Sequence, residues 1–247
     1  MQKEFEAQYH LLEEGHWWFQ GRRQAVHALV LQNTPDRESR ILEIGCSGGP
    51  LLQQLAADGY TAVTGIDISA EAIELCHKRG LTNTHVMDAL RLSFAPGSFD
   101  LIIASDVLEH LSDAPQAVGA WQRLLRPGGR LLVFVPAFMF LWSRHDEVNL
   151  HFKRYRRPEL EQLLQDHGFA VRRSSYWNFW LFFPVTLVRV IKRFLPESEG
   201  HAGHGDLNKP PGWINALLFR LLRCEDWLFR AGLNWPWGVS VMVLGQK

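Results

Sequence analysis

Cysteine is scarce in this chain. Its three cysteines, Cys46, Cys76 and Cys224, form no CxxC pair and show no metal-ligand spacing. An odd, sparse set excludes a disulfide framework and fits buried thiols in a reducing compartment. Net charge is also absent, because 26 basic side chains balance 26 acidic ones, and this removes the electrostatic argument for a nucleic-acid partner. No apolar run is long enough to cross a bilayer. The longest, FWLFFPVTLV at 179–188, is interrupted by Pro184 and has about half of the roughly 20 residues a span requires. The opening MQKEFEAQYH is polar and lacks the apolar stretch of a secretory signal. The expectation is a cytoplasmic protein that is not transmembrane and has no nucleic-acid partner. Tryptophan, by contrast, is plentiful: there are ten, six of them between 177 and 237.

The 247 residues suffice for one large α/β domain or two smaller ones. Residues 15–31 carry helical apolar spacing, and a polar break, QNTPDRES, follows. From residue 40 short apolar runs alternate with helical patterns. RILEIG, TAVTGIDIS, THVMDA, FDLIIASD and RLLVFVPA read as strands, with helices such as PLLQQLAADG, AEAIELCHKRG and APQAVGAWQRLL between them. Short links between alternating elements predict a mostly parallel sheet covered on both faces. After 137 the pattern loosens. FMFLWSRHDEVNLHFKRY reads as loop, RPELEQLLQDHGF as helix, AVRRSSYWNF as a sixth strand and GVSVMVLGQK as a seventh. The expected fold is a doubly wound α/β sheet of seven strands. It divides into a helical cap (1–39), the α/β core (40–176), an aromatic helical insertion (177–237) and the last strand of the core (238–247).

The first strand breaks directly into Glu43-Ile44-Gly45-Cys46-Ser47-Gly48-Gly49. A strand, a glycine turn and a helix open a nucleotide-binding α/β unit, since glycine lets the backbone approach a ligand where a Cβ would clash. The next strand ends in Asp67, 24 residues after Glu43, where a carboxylate accepts hydrogen bonds from ribose hydroxyls. Up to here NAD and any other adenosine ligand fit equally. Three details separate them. The turn lacks the spaced G-x-G-x-x-G that admits a pyrophosphate. An acid in the turn repels pyrophosphate and attracts an ammonium or sulfonium. Asp88, after the third strand, is placed for an adenine amino group, with Ala89 against the ring.

With these features the chain resembles the class I S-adenosylmethionine-dependent methyltransferases, in their small-molecule, ubiquinone-pathway-like branch. ILEIGCSGG, VTGIDIS, VMDA, FDLIIASDVLEHL and LLRPGGRLLVFVP carry the likeness over roughly residues 40–136. The resemblance implies a Rossmann-like methyltransferase fold with S-adenosyl-L-methionine as cofactor and S-adenosyl-L-homocysteine as product. It sets the cofactor against Glu43, Gly45, Cys46, Ser47 and Gly49 of the turn, Asp67 and Ile68 at the ribose, Asp88 and Ala89 at the adenine, and Ser105, Asp106 and Val107 on the other side. Ser47 departs from the family's usual G-C-G-x-G, in which a glycine takes its place. The segment GHWWFQGRR resembles the opening of methyltransferases related to those of ubiquinone synthesis, in which an arginine or aromatic closes over the cofactor. Arg23, or Arg22, is implied as partner of the cofactor's carboxylate, with Trp17 or Trp18 as lid.

For a proton-removing base the candidates are Glu109-His110 and the cluster His145, Asp146 and His151, because histidine suits proton removal near neutral pH. The expected catalytic residues are His110 and His145. The second cluster, with Glu147, reads as a hydrogen-bonded network, so no metal is expected. Arg154, Arg156 and Arg157 read either as a grip for phosphate or carboxylate or as a solvated helix start. Residues 177–237 mix indoles and large apolar groups with Arg189, Lys192, Arg193, Arg220, Arg223 and Arg230. Aromatic and basic residues favour the lipid headgroup zone. The insertion therefore reads as a peripheral membrane contact or the wall of a greasy acceptor site, against a lid or dimer face of buried aromatics. The expected partner is a small, hydrophobic or lipid-linked acceptor such as a quinone precursor. An NAD(P)-dependent oxidoreductase and a non-catalytic binding protein on the same fold remain the competing readings.

Overall fold

The computed structural model describes residues 12–192 and 210–247. Residues 1–11 and 193–209, with Arg193 and most of the loop inside the aromatic insertion, lie outside the described residues, as does the side chain of Lys192. Seven strands form one sheet: β1 (Ile41–Ile44), β2 (Val63–Asp67), β3 (Thr84–Val86), β4 (Phe99–Ser105), β5 (Leu125–Pro136), β6 (Ala170–Trp177) and β7 (Ser240–Gln246). Their order is β3-β2-β1-β4-β5-β7-β6. β1 to β5 pair in parallel, and β7 runs antiparallel to both β5 and β6. The expected mostly parallel sheet is present. The insertion of β7 between β5 and β6 is a long-range pairing that no local pattern announces.

The central strands are apolar on both faces because both faces are covered. Ile41, Leu42 and Ile44 of β1 and Leu101, Ile102, Ile103 and Ala104 of β4 are all buried. The covering helices follow their capping chemistry. In α1 (Trp17–Asn33) the His16 side chain accepts a hydrogen bond from Trp18 N. α2 (Pro50–Ala57) begins at Gly49 with proline in its first turn. In α3 (Ala70–Lys78) Ser69 Oγ accepts from Ala72 N at 3.2 Å. In α4 (Ala114–Leu124) Asp113 accepts from Gln116 N at 2.9 Å. The His16, Ser69 and Asp113 caps each satisfy an amide that the first helical turn leaves without an intrahelical partner.

The stretch after β5 corrects the expectation of a loop, because it holds a short helix, α5 (Arg144–Val148). Ser143 N donates to Asp146 Oδ2 at 2.8 Å, closing the first turn. Five residues are too few for apolar periodicity to reveal a helix. After it come α6 (Arg157–Asp166), α7 (Phe182–Lys192) and α8 (Gly212–Arg230).

The aromatic insertion is docked on the N-terminal helix. α8 packs along α1, and Asn215 joins their ends: its Oδ1 accepts from Trp17 N at 2.9 Å while its Nδ2 donates to Gly15 O at 3.0 Å. Trp177 and Trp235 are buried, whereas Trp180, Trp213, Trp227 and Trp237 are exposed. No helix among the described residues is long and apolar enough to cross a membrane.

Gly49 supports the turn that follows β1. It holds φ at +79°, and a Cβ there would lie 2.4 Å from Leu81 Cδ1 and 2.9 Å from Cys76 Sγ. Gly49→Ala combines left-handed strain with overpacking, so it should destabilise the protein by about 2–4 kcal/mol. The measurement is a urea melt, and an unchanged midpoint would contradict this account of the turn.

Candidate active site

A cavity of about 1290 Å³ opens at the carboxyl ends of β1, β2 and β4, where the strand order reverses and open α/β sheets bind their ligands. Nine of the thirteen residues expected at the cofactor line it: Gly45, Ser47, Asp67, Ile68, Asp88, Ala89, Ser105, Asp106 and Val107. Asp67 is fixed by two amides, Ser47 N to Oδ2 and Ser69 N to Oδ1, both at 2.9 Å. Asp88 Oδ1 accepts from Leu90 N at 2.9 Å. Ala89 is anchored from behind by Trp121, whose Nε1 donates to its carbonyl at 3.0 Å.

The backbone is strained where the cavity is most tightly shaped. Ser47 stands at φ +49° and Asp106 at +57°, each in a left-handed conformation that costs a non-glycine residue roughly 1–2 kcal/mol. Ser47 thus takes the geometry that a glycine would hold without strain. Gly45 has φ +72°, and a Cβ there would come within 2.6 Å of Val107 Cγ2, so the turn and the loop after β4 approach too closely for a side chain.

The other four expected residues, Arg23, Glu43, Cys46 and Gly49, are absent from the cavity wall. Glu43 is buried, and burial, reinforced by Glu13, pushes its carboxyl well above the ordinary range. Burial therefore works against the charged form of the acid that was expected to attract an ammonium or sulfonium. Cys46 packs with Leu52, Ile73 and Cys76 beneath the turn. Gly49 caps α2, and Arg23 Nη1 donates to Glu13 O at 3.3 Å.

Arg22 is the arginine turned inward. Its guanidinium lies 4.5 Å from the ring centres of Phe134 and Trp177 and 5.1 Å from that of Trp18. It donates to Ser240 Oγ and stands 3.6 Å from Asp106 Oδ1. Trp17 and Trp18, on the same helix, line the cavity. Helical phase was the only signal for choosing between the two arginines, because successive residues on a helix differ by about 100° in direction.

A cluster of titratable groups also lines the cavity: His110, His145 and His151 together with Glu109 and Arg154. His151 Nδ1 lies 2.9 Å from Asp146 Oδ1. Asp146 is fully buried and takes a two-pronged grip from Arg154, Nε to Oδ1 at 2.8 Å and Nη2 to Oδ2 at 3.0 Å. Burial alone would raise the Asp146 pKa, but the His151 hydrogen bond and the Arg154 charge hold it well below the usual carboxylate range. Burial and the neighbouring His151 lower His110 to about 3, so it is neutral at physiological pH. The His110 and His151 rings meet edge to face at 4.5 Å. His145 faces Asn149 instead, whose Nδ2 lies 3.3 Å from its ring nitrogens. Glu109 is fully buried, and neither carboxyl oxygen has a hydrogen-bond partner among the described residues. Burial, then the charge of Asp106, drives its pKa well above the ordinary value.

The insertion adds Leu181, Pro184, Val185 and Val188 of the α7 segment and Leu218 of α8 to the wall, with Asn178 and Arg189 beside them. The outer side of the same helices exposes Phe183, Leu187, Ile191, Trp213, Leu217 and Trp227. Glu225 and Asp226 of α8 point inward. Glu225 accepts from Phe179 N at 2.9 Å and Asp226 accepts from Trp177 Nε1 at 2.8 Å.

Comparison with known proteins gives a family and a fold. A family model described as a methyltransferase domain matches residues 17–174. The ubiquinone biosynthesis O-methyltransferase of Xylella fastidiosa is 35% identical over 131 residues, covering 47% of this chain and 53% of that protein. The 2-methyl-6-phytyl-1,4-hydroquinone methyltransferase of Synechocystis sp. is 26% identical over 221 residues, covering 85% of this chain and 64% of that protein. The chain spans about half the length of the first of these relatives. Among solved structures, an SAM-dependent methyltransferase of Thermotoga maritima superposes with a TM-score of 0.60 at 19% identity, covering 98% of this chain and 94% of the other. One from Archaeoglobus fulgidus gives 0.59 at 18% identity, covering 97% and 99%. At these identities the structural likeness is one of fold.

The roof of the site should respond to pH through Asp226. Burial pushes its pKa up to about 7, against the opposing Trp177 hydrogen bond and with help from Glu225. The fold therefore prefers the protonated acid. Its contribution is complete below the unfolded carboxyl pKa of about 3.9 and is lost as pH rises through about 7. Urea melts at about pH 5 and about pH 8 should show this fall in stability, and Asp226→Asn should flatten it. An equal fall in the variant would assign the dependence elsewhere.

Proposed function

The chain belongs to the methyltransferase-domain family, and from that membership we propose that it moves the methyl group of S-adenosylmethionine to a small, mainly apolar acceptor held in the same cavity. The observation that carries this reading is a single chamber lined by unlike groups: the glycine turn with Asp67 and Asp88, a cluster of titratable side chains, and apolar residues of α7 and α8.

The residues present fit the cofactor. The close approach at Gly45 keeps the turn bare of side chains. Two amides hold the Asp67 carboxylate in one orientation, and because a carboxylate oxygen accepts more than one hydrogen bond, it can also take ribose hydroxyls. Asp88 uses Oδ1 on Leu90 N, which leaves Oδ2 for an adenine amino group beside Ala89 and Ile68. Ser105, Asp106 and Val107 close the other side. Glu43, Cys46, Gly49 and Arg23 act from behind by shaping the turn. When bound, the cofactor supplies a methyl group activated on a sulfonium. The protein's part is largely to hold the acceptor in line with that methyl, where orientation provides much of the acceleration. The competing nicotinamide reading is not favoured, since the turn lacks the pyrophosphate spacing and the family match is to methyltransferases.

For the acceptor we infer a quinone precursor or similar lipid-linked compound. Leu181, Val185, Val188 and Leu218 supply an apolar wall, and the two relatives above are named for ubiquinone biosynthesis and for a phytyl hydroquinone. Such an acceptor resides in a membrane, and the outer faces of α7 and α8 suit a lipid surface. Indoles and aliphatic groups are exposed there beside Arg220, Arg223 and Arg230, while the acids of α8 are buried.

Calorimetry with S-adenosylhomocysteine tests the cofactor site. Asp67→Ala should weaken binding by roughly 1–3 kcal/mol through loss of a charged hydrogen bond, and equal affinity in the variant would remove Asp67 from the site. Flotation with anionic vesicles tests the surface. The protein should float with them, Trp213→Ala with Trp227→Ala should reduce the bound fraction, and a protein that stays at the bottom would refute lipid contact.

A further inference from the structure

Given the methyl-transfer reading above, on which this rests, we propose that the hydrogen bond from Ser47 to Glu13 latches the segment before α1 to the glycine turn. The pair fixes the turn in place and sets how long S-adenosylmethionine, or its demethylated product, stays bound.

Ser47 stands where glycine would be least strained. Its φ of +49° is left-handed, a conformation that disfavours any residue with a Cβ. Its backbone N–H donates to Asp67 Oδ2 at 2.9 Å, and its hydroxyl donates to Glu13 Oε2 at 3.1 Å. A glycine would keep the first bond and forfeit the second. The strained serine thus adds a link between the turn that carries Asp67 in register and a segment 34 residues earlier in the chain.

Residues 12–16 form a tight turn leading into α1, with Gly15 N and His16 N donating to Leu12 O at 3.1 and 2.8 Å. Each position touches a different part of the site. Leu12 packs with Phe19 and with Val148 of α5. Glu13 is buried, and its carbonyl accepts from Arg23 Nη1 at 3.3 Å. Glu14 pairs with Arg79, whose Nη1 donates to Gly48 O at 2.8 Å. Gly15 O accepts from Asn215 of α8 at 3.0 Å. His16 lines the cavity, as does Trp17 after it. Two consecutive acids therefore hold two consecutive residues of the turn, the second through an arginine. The same short segment joins that turn to α5 and α8, which contribute His145 and Leu218 to the same chamber.

The two acidic links are unequal. The Glu14 side chain is 65% exposed, and an ion pair open to water contributes little. Glu13 is shielded, and a hydrogen bond away from water is stronger because the solvent does not compete for its partners. The Ser47 bond is accordingly the link that matters. Losing it loosens the residue whose amide steadies Asp67 and detaches the segment that carries His16 and Trp17. Glu13 is a positioning residue that acts through Ser47 and Asp67.

The test follows S-adenosylhomocysteine binding to the whole protein, with affinity from calorimetry and release from stopped-flow tryptophan fluorescence. Glu13→Ala should raise Kd about tenfold or more, mainly through faster release. Ser47→Gly should do the same although it relieves the left-handed strain, which also makes it the variant least prone to misfold. Glu13→Gln keeps an acceptor oxygen for the hydroxyl and should bind as wild type does. The double variant Glu13→Ala with Ser47→Gly should release the ligand no faster than the faster single variant, because both changes remove one bond. Wild-type affinity in Ser47→Gly, effects that multiply in the double variant, or a Glu13→Gln as weak as Glu13→Ala would each overturn the latch and leave the methyltransferase reading standing. Failure of the wild type to bind S-adenosylhomocysteine would overturn both.

Discussion

The guanidinium of Arg22 holds the site's architecture together. It is buried against the faces of Trp18, Phe134 and Trp177, donates to Ser240 and stands near Asp106. It thereby connects α1, the loop after β4, and strands β5, β6 and β7. A charge so far from water is costly unless compensated, and the compensation is specific: three ring faces, a hydroxyl and a carboxylate. The N-terminal helix is consequently fixed over the cavity, and Trp17 and Trp18 are carried to its rim. The insertion joins the same assembly, because Asp226 of α8 accepts from the Trp177 indole on which Arg22 rests.

The buried acids fall into two groups according to whether an arginine meets them. Asp146 has Arg154 and stays ionised, and it turns His151 toward the chamber. Glu109 and Glu43 are equally enclosed but lack such a grip, and burial drives both toward the neutral acid. Carboxyls in one site with pKa values driven apart are how a fold assigns acid and base roles at one pH. Asp146 meets His151, and Glu109 lines the same cavity.

The insertion divides its apolar residues between two tasks. Leu181, Val185 and Val188 face the cavity, while Phe183, Leu187 and Ile191 of the same stretch are exposed. A helix apolar on more than one face cannot be satisfied by a single core. That excess, beside arginines with no exposed acid on α7 or α8, is the physical basis for inferring a lipid surface.

Much of the sheet was legible because burial on both faces forces continuous apolar runs, and those runs mark β1, β2, β4 and β5 in the linear chain. Gly45, Asp67 and Asp88 were legible for a related reason: strand, turn and acid recur at separations set by the βαβ repeat. What the chain alone did not settle were choices of direction between neighbours. Arg22 and Arg23 differ by one helical step, and only packing on Trp177 decides which is buried. Glu43 looks like an exposed acid in a turn until β2 and β4 enclose it. His145 and His151 are equivalent candidates in a polar stretch until a five-residue helix and a left-handed Leu150 bring one of them to Asp146. Local sequence carries the periodicity of each element, whereas the rotation of an element about its axis, and hence which side chain meets which, is decided by residues distant in the chain.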